Sequence, residues 1–117
     1  MMASPYLVDI SDDRVDLSTW HPASLEDVFI PLVIQVAWQG EAGSSLFYTR
    51  VMTPEAIRTK FSGAILSDRA MIVVSGFDYR ALKKHVEQIV AASNRETIEE
   101  SCQVLNRYFQ WEYEGQC

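Results

Sequence analysis

The run FIPLVIQVAW, residues 29–38, restricts the possible folds of this chain more than any other stretch. Ile30, Leu32, Ile34, Val36 and Trp38 are all apolar. That period of two marks a strand with one face fully buried. Pro31 must then lie at the start of the strand or on an edge, because it has no N–H for a ladder. Gln35 interrupts the run, which is also far too short to cross a bilayer. The strand therefore needs cover from within a chain of 117 residues, 48% of them apolar, enough for one core and no more. QGEAGS breaks the run with two glycines and leads into SLFYTRVM, which reads as a second strand, antiparallel through a hairpin.

Helix signals follow. In TPEAIRTKF, Thr53 suits the N-cap, Pro54 the first helical position and Glu55 the positive end of the dipole. RAMIVVSG reads as a third, well-buried strand. After it Asp78 caps a helix with Leu82, Val86, Ile89 and Val90 on one face. Ser93 with Glu96 fits a capping box for a last helix, whose apolar stripe is Ile98, Cys102, Leu105 and Phe109. The pattern predicts an α+β domain: an antiparallel-dominated β-sheet of three to four strands packed against two long C-terminal helices plus one short helix. Without internal repeats or linkers, residues 1–117 read as a single domain. The Asp-rich composition ahead of Val15 makes residues 1–14 a candidate mobile acidic arm.

Charge narrows the function. Residues 1–49 carry seven acids against Arg14 alone, residues 50–95 carry eight bases against four acids, and from Glu96 onward five acids face Arg107. The net of −6 opposes direct binding to DNA or RNA, which relies on Lys and Arg displacing counterions, and favours a basic partner. Arg80, Lys83, Lys84 and Glu87 read as the solvated face of a helix. MMASPYLVDISDD lacks the basic start and apolar centre of a secretory signal, so a cytoplasmic protein without membrane segments is expected. Cys102 and Cys117 have no CxxC spacing and read as a reduced core residue and a tail residue.

Motifs for catalysis are lacking. There is no Gly-rich phosphate loop, no GxSxG elbow, and no second ligand at metal spacing from His21 or His85, so neither cofactor nor metal is expected. In WEYE the carboxylates of Glu112 and Glu114 alternate with Trp111 and Tyr113. If extended, the acids share one face. Acid–base work would require one of them to be buried with a raised pKa, which a position so near the carboxy terminus opposes. The aromatics instead read as anchors for the fold, with the acids facing solvent or a partner.

EDVFIPLVIQVAWQGEAGSSLFYTRVMTPEAI, then IVVSGFDYRAL, then a helix closing in LNRYFQWEYEG, together resemble the immunity protein 8 family of bacterial polymorphic toxin systems, including those of contact-dependent growth inhibition. The resemblance covers roughly residues 25–115. It is carried by the glycine-containing turn before Leu46 and Phe47, by Thr53-Pro54-Glu55, by Phe77-Asp78-Tyr79, and by Trp111 to Glu114. Ser44 and Ser45 stand where relatives often place an acid before the Leu-Phe pair; if that acid contacts toxin in relatives, toxin specificity differs here. The resemblance implies a non-enzymatic cytoplasmic inhibitor that binds the C-terminal domain of a cognate toxin, commonly a nuclease, and blocks it by steric and electrostatic occlusion. It would be a monomer or homodimer before toxin binding. Charge selects Asp12, Asp13, Asp16, Glu26, Asp27, Glu112 and Glu114 as contact residues. The alternatives are a small structural or regulatory subunit dimerising through a strand edge, and an enzyme built on Glu112 and Glu114.

Overall fold

In the computed structural model, which describes residues 3–66 and 70–113, the run Phe29–Trp38 forms one strand, β2, with neighbours on both sides. Its even-numbered residues from Ile30 to Trp38 are at most 3% exposed. β3 (Ser44–Met52) pairs antiparallel with it, from Phe29↔Met52 to Ala37↔Ser44. Between the two strands Gly40 and Gly43 adopt φ of 77° and 84°, a region glycine enters without steric cost.

On the other side of β2 lies β1 (Pro5–Ser11), antiparallel from Pro5↔Trp38 to Ser11↔Val33, with a register shift between Leu7 and Asp9. Half of the expected mobile acidic arm is thus a paired edge strand. Leu7 packs on the core and Ile10 is buried in it, which gives the segment apolar burial to offset its ordering entropy. β1 stops opposite Val33, so Pro31 occupies a stretch of β2 with one free side.

The far edge of β3 is shared by two short strands. β4 (Met71–Val73) runs parallel to Arg50–Met52, and β5 (Gln110–Trp111) runs antiparallel to Phe47 and Tyr48. The sheet is therefore mixed and five-stranded. α1 (Pro54–Lys60) lies in the connection between these two parallel strands, which cannot be joined by a tight hairpin. β4 is also no well-buried strand, since Val73 is 55% exposed.

Thr53 caps α1 as its sequence indicates, accepting from Ala56 N–H at 3.3 Å. Asp78 likewise caps α2 (Tyr79–Ala92), whose Leu82, Val86 and Val90 are buried. The last helix differs from expectation. α3 is only Ile98–Leu105, and its cap is Thr97, which accepts from Glu100 N–H at 3.1 Å while its hydroxyl donates to the Glu100 carboxylate at 3.1 Å. Ser93 instead ends α2, donating to the Val90 carbonyl at 2.7 Å. The helices are thus one long and two short. Phe109 still reaches the core, but from beyond the end of α3.

α2 and α3 cover the face of the sheet that carries Ile34, Val36, Phe47 and Val51. There Trp38 Nε1 donates to Ser101 Oγ at 3.0 Å, and Ser101 lies 3.3 Å from Ser93 Oγ, which ties β2 to both helices. On the opposite face the α1 end is closed by Phe61 against Phe29, ring centroids 5.4 Å apart, with Met52 and Ala56 fully buried. Beyond that end Tyr6, Asp9, Pro31 and Tyr48 are exposed.

Candidate partner-binding surface

Five of the seven predicted contact residues fall in the β1–β2 connection, residues 12–28. It exceeds the length of about 12–15 residues beyond which unstructured loops in compact domains are uncommon and usually functional. Apolar side chains pin it down. Leu17 and Val28 are buried, and Trp20 sets its ring edge-on against Phe77 at 5.0 Å. The Leu25 carbonyl accepts from Phe77 N–H at 2.8 Å, and Val28 N–H donates to Thr53 Oγ1 at 2.9 Å.

The acids on this frame are not equivalent. Asp12 accepts from the Arg14 N–H at 3.1 Å and from its guanidinium at 3.0 Å, and its carboxylate is only 5% exposed. The hydrogen bonds from Arg14 hold its pKa below the ordinary carboxylate range. Asp12 is thereby occupied with the turn itself. Asp16 also closes a turn, accepting from Ser18 N–H at 3.0 Å and Ser18 Oγ at 2.6 Å, yet the residue stays exposed. Asp13, Glu26 and Asp27 are exposed as well. With five carboxylates against Arg14, the loop carries a net −4, and four of its acids are open to a partner.

Glu112 lies elsewhere. Its backbone N–H donates to the Leu46 carbonyl at 3.1 Å, and its carboxylate accepts from Leu46 N–H at 2.6 Å, so one residue clamps both backbone groups of Leu46 on the β3 edge. Trp111 stacks on Phe47 and Tyr113 meets Trp111 edge-on, as anchors should. The same carboxylate, by hydrogen bond and charge, holds the Tyr113 phenol above its usual range. Glu114 lies outside the described residues. The predicted set is thus divided: Leu46 and the Thr53 that grips Val28 are seven positions apart on or just after β3, roughly 20 Å or more of strand.

Residues 7–115 match the family model of immunity protein 8. The chain belongs to that family. It matches no curated protein and no solved structure. The match takes in β1 from Leu7 onward, wider than the roughly 25–115 over which the sequence motifs show a resemblance. As a member of the immunity protein 8 family, the protein is an immunity protein directed against a toxin. The residues that carry the likeness have structural work: Thr53 and Asp78 cap helices, Phe77 holds the acidic loop through Trp20, and Glu112 fastens β5 to β3. Among the described residues of this immunity protein no helix is long and apolar enough to cross a membrane, and no three His, Cys, Asp or Glu side chains gather as a metal site.

Sequence reasoning missed the face of the sheet that, beyond the α1 end, the described residues leave bare. Cross-strand rows there are Tyr6, Ala37, Ser44; then Asp9, Gln35, Leu46; then Ser11, Val33, Tyr48, Gln110. The signal was present in FIPLVIQVAW, whose odd positions Phe29, Pro31, Val33 and Ala37 are apolar too. An ordinary half-exposed strand would place polar residues there.

Proposed function

We propose that this immunity protein neutralises its cognate toxin by binding the toxin's C-terminal domain, a basic nuclease, through the acidic β1–β2 loop, and occludes it without any turnover. The observation that carries this reading is the pinned loop, with Asp13, Asp16, Glu26 and Asp27 exposed on a frame set by Leu17, Trp20 and Val28. A surface that holds nucleic acid is positive, and a rigid cluster of carboxylates competes for it as a substitute phosphate field. Rigidity matters because acids on a mobile arm would lose entropy on binding. Such complementarity raises the association rate and selects the partner more than it sets affinity.

The homodimer alternative has weaker support. β1, the edge strand, begins with Pro5 and carries a bulge at Val8, two features that discourage edge-to-edge pairing, and much of the other β3 edge is occupied by β4 and β5.

Calorimetry with the toxin domain encoded beside this gene, at low and moderate salt, tests the proposal. One-to-one binding that weakens with salt is expected, with association slowed in a variant carrying Asp13→Asn, Asp16→Asn, Glu26→Gln and Asp27→Asn. An association rate indifferent to both salt and those substitutions would remove the electrostatic mechanism.

A further inference from the structure

We infer that the bare face of the sheet, centred on Tyr6, Val8, Val33 and Tyr48, is the apolar half of the same toxin interface; this rests on the binding role proposed above. Three observations lead to it.

Five of the ten positions in the rows of this face are apolar: Tyr6, Val33, Ala37, Leu46 and Tyr48. Tyr6, Val8 and Tyr48 are 43%, 45% and 39% exposed, and alternation places Tyr6, Val33 and Tyr48 on the side away from α2 and α3. Val8 is the additional residue of the β1 bulge. Exposed tyrosines among aliphatic residues are the composition of an interface core. Apolar positions outnumber charged ones, of which Asp9 and the half-buried, already engaged Arg50 belong to the rows of this face.

Area gives the second observation. Four strand positions about 4.8 Å apart and about six residues of about 3.4 Å each make a patch of roughly 400 Å². A stable complex buries about 800 Å² on each partner. This face is not sufficient alone, and along the chain it adjoins the acidic loop: β1 carries Tyr6, Val8 and Asp9 and passes through Ser11 into Asp12 and Asp13.

Charge selects the occupant. A second copy of this chain, itself at −6, would bring its own Asp9 and acidic loop towards those already there. A basic protein domain with an apolar patch inside a cationic rim satisfies both halves. Apolar contact would set the lifetime of the complex, and the acids would set its rate of formation.

The test uses the full chain and the toxin domain encoded beside its gene, with association and dissociation followed by surface plasmon resonance at two salt concentrations. Tyr6→Ser and Tyr48→Ser remove the aromatic centre, Val8→Asp disturbs the face without touching the core, and Tyr108→Ser on the helix side, 49% exposed, is the control. Each face variant should dissociate faster and weaken binding about 30-fold or more, as for a buried aromatic anchor. In Tyr6→Ser and Tyr48→Ser, which leave the charge unchanged, the association rate and its salt dependence should remain those of the wild type, whereas the acid added by Val8→Asp should not slow association; Tyr108→Ser should change nothing. If all three folded face variants bind like wild type while the loop variant associates slowly, the face has no part in the interface but the acidic loop keeps its role. If wild type binds no toxin, both readings fall together. A wild-type dimer that Tyr48→Ser dissociates, with toxin binding untouched, would assign the face to a second copy and overturn the inference.

Discussion

The same substitution at two buried threonines of this protein should have opposite effects. Thr53 is fully buried, and its Oγ1 accepts from Val28 N–H at 2.9 Å and from Ala56 N–H at 3.3 Å. Thr53→Val keeps the shape and deletes both acceptor roles. Leaving the Val28 N–H unpaired in a dry site costs about 1–3 kcal/mol. Losing the N-cap of α1 costs about 1 kcal/mol more. The combined loss of about 2–4 kcal/mol is a large share of the about 5–15 kcal/mol that holds a domain folded. At about 4 °C per kcal/mol for this size, the thermal midpoint should fall by about 8–16 °C. Thr49 is 4% exposed, but among the described residues its Oγ1 has no hydrogen-bond partner. Thr49→Val removes an unsatisfied hydroxyl and should be neutral or stabilising by about 1 kcal/mol. Urea titrations of both variants, with unchanged slopes as the sign of an unchanged two-state transition, measure the difference. Hydrogen exchange at Val28 should rise in Thr53→Val alone, because that amide fastens the end of the acidic loop. Equal stabilities for the two variants, or a Thr53→Val loss below about 0.5 kcal/mol, would refute this account of buried hydroxyls.

Other outcomes follow from the same geometry. Ser101→Ala leaves Trp38 Nε1 without its 3.0 Å acceptor and should cost about 1–3 kcal/mol in urea unfolding. Glu112→Gln weakens the clamp on Leu46 and removes the charge beside Tyr113, so the Tyr113 phenol should titrate closer to its usual range in an ultraviolet pH titration. Burial pushes the Cys102 thiol up to about 11. Because the thiol ionises at lower pH in the unfolded chain than in the native one, stability should be unaffected by this group below its ordinary pKa and decline as pH rises from there towards about 11. The difference between Cys102→Ala and its parent, both in a Cys117→Ser background and compared at about pH 8 and about pH 10, isolates that slope.

The parts of the fold visible in the sequence are those whose signals lie within a few residues of each other. β2 was legible from its even positions, α1 from Thr53-Pro54-Glu55 and α2 from Asp78. β1 was not, because the bulge at Val8 shifts the period of two between Leu7 and Ile10 and the neighbouring aspartates resemble a solvated arm. The start of α3 was misplaced because two boxes overlap, Ser93 with Glu96 and Thr97 with Glu100. Locally they are equivalent, and burial of Ser93 beside Ser101 decides for the second. At the candidate surface the acids were legible as charge. Their separation into Asp12, engaged by Arg14, and the open Asp13, Asp16, Glu26 and Asp27 was not.

What the sequence determined by itself is local: one strand that must bury a face, two helix caps, an acidic amino-terminal half and an aromatic close. Each depends on spacing of a few residues, where backbone geometry leaves little choice. The tertiary structure decided that β4 and β5 divide the outer edge of β3, that Glu112 turns inward to Leu46 while Asp13, Asp16, Glu26 and Asp27 remain outside, and that beyond the α1 end one face of the sheet stays bare among the described residues. Those outcomes depend on pairings between distant segments, and their free energy is set by whether the whole core closes.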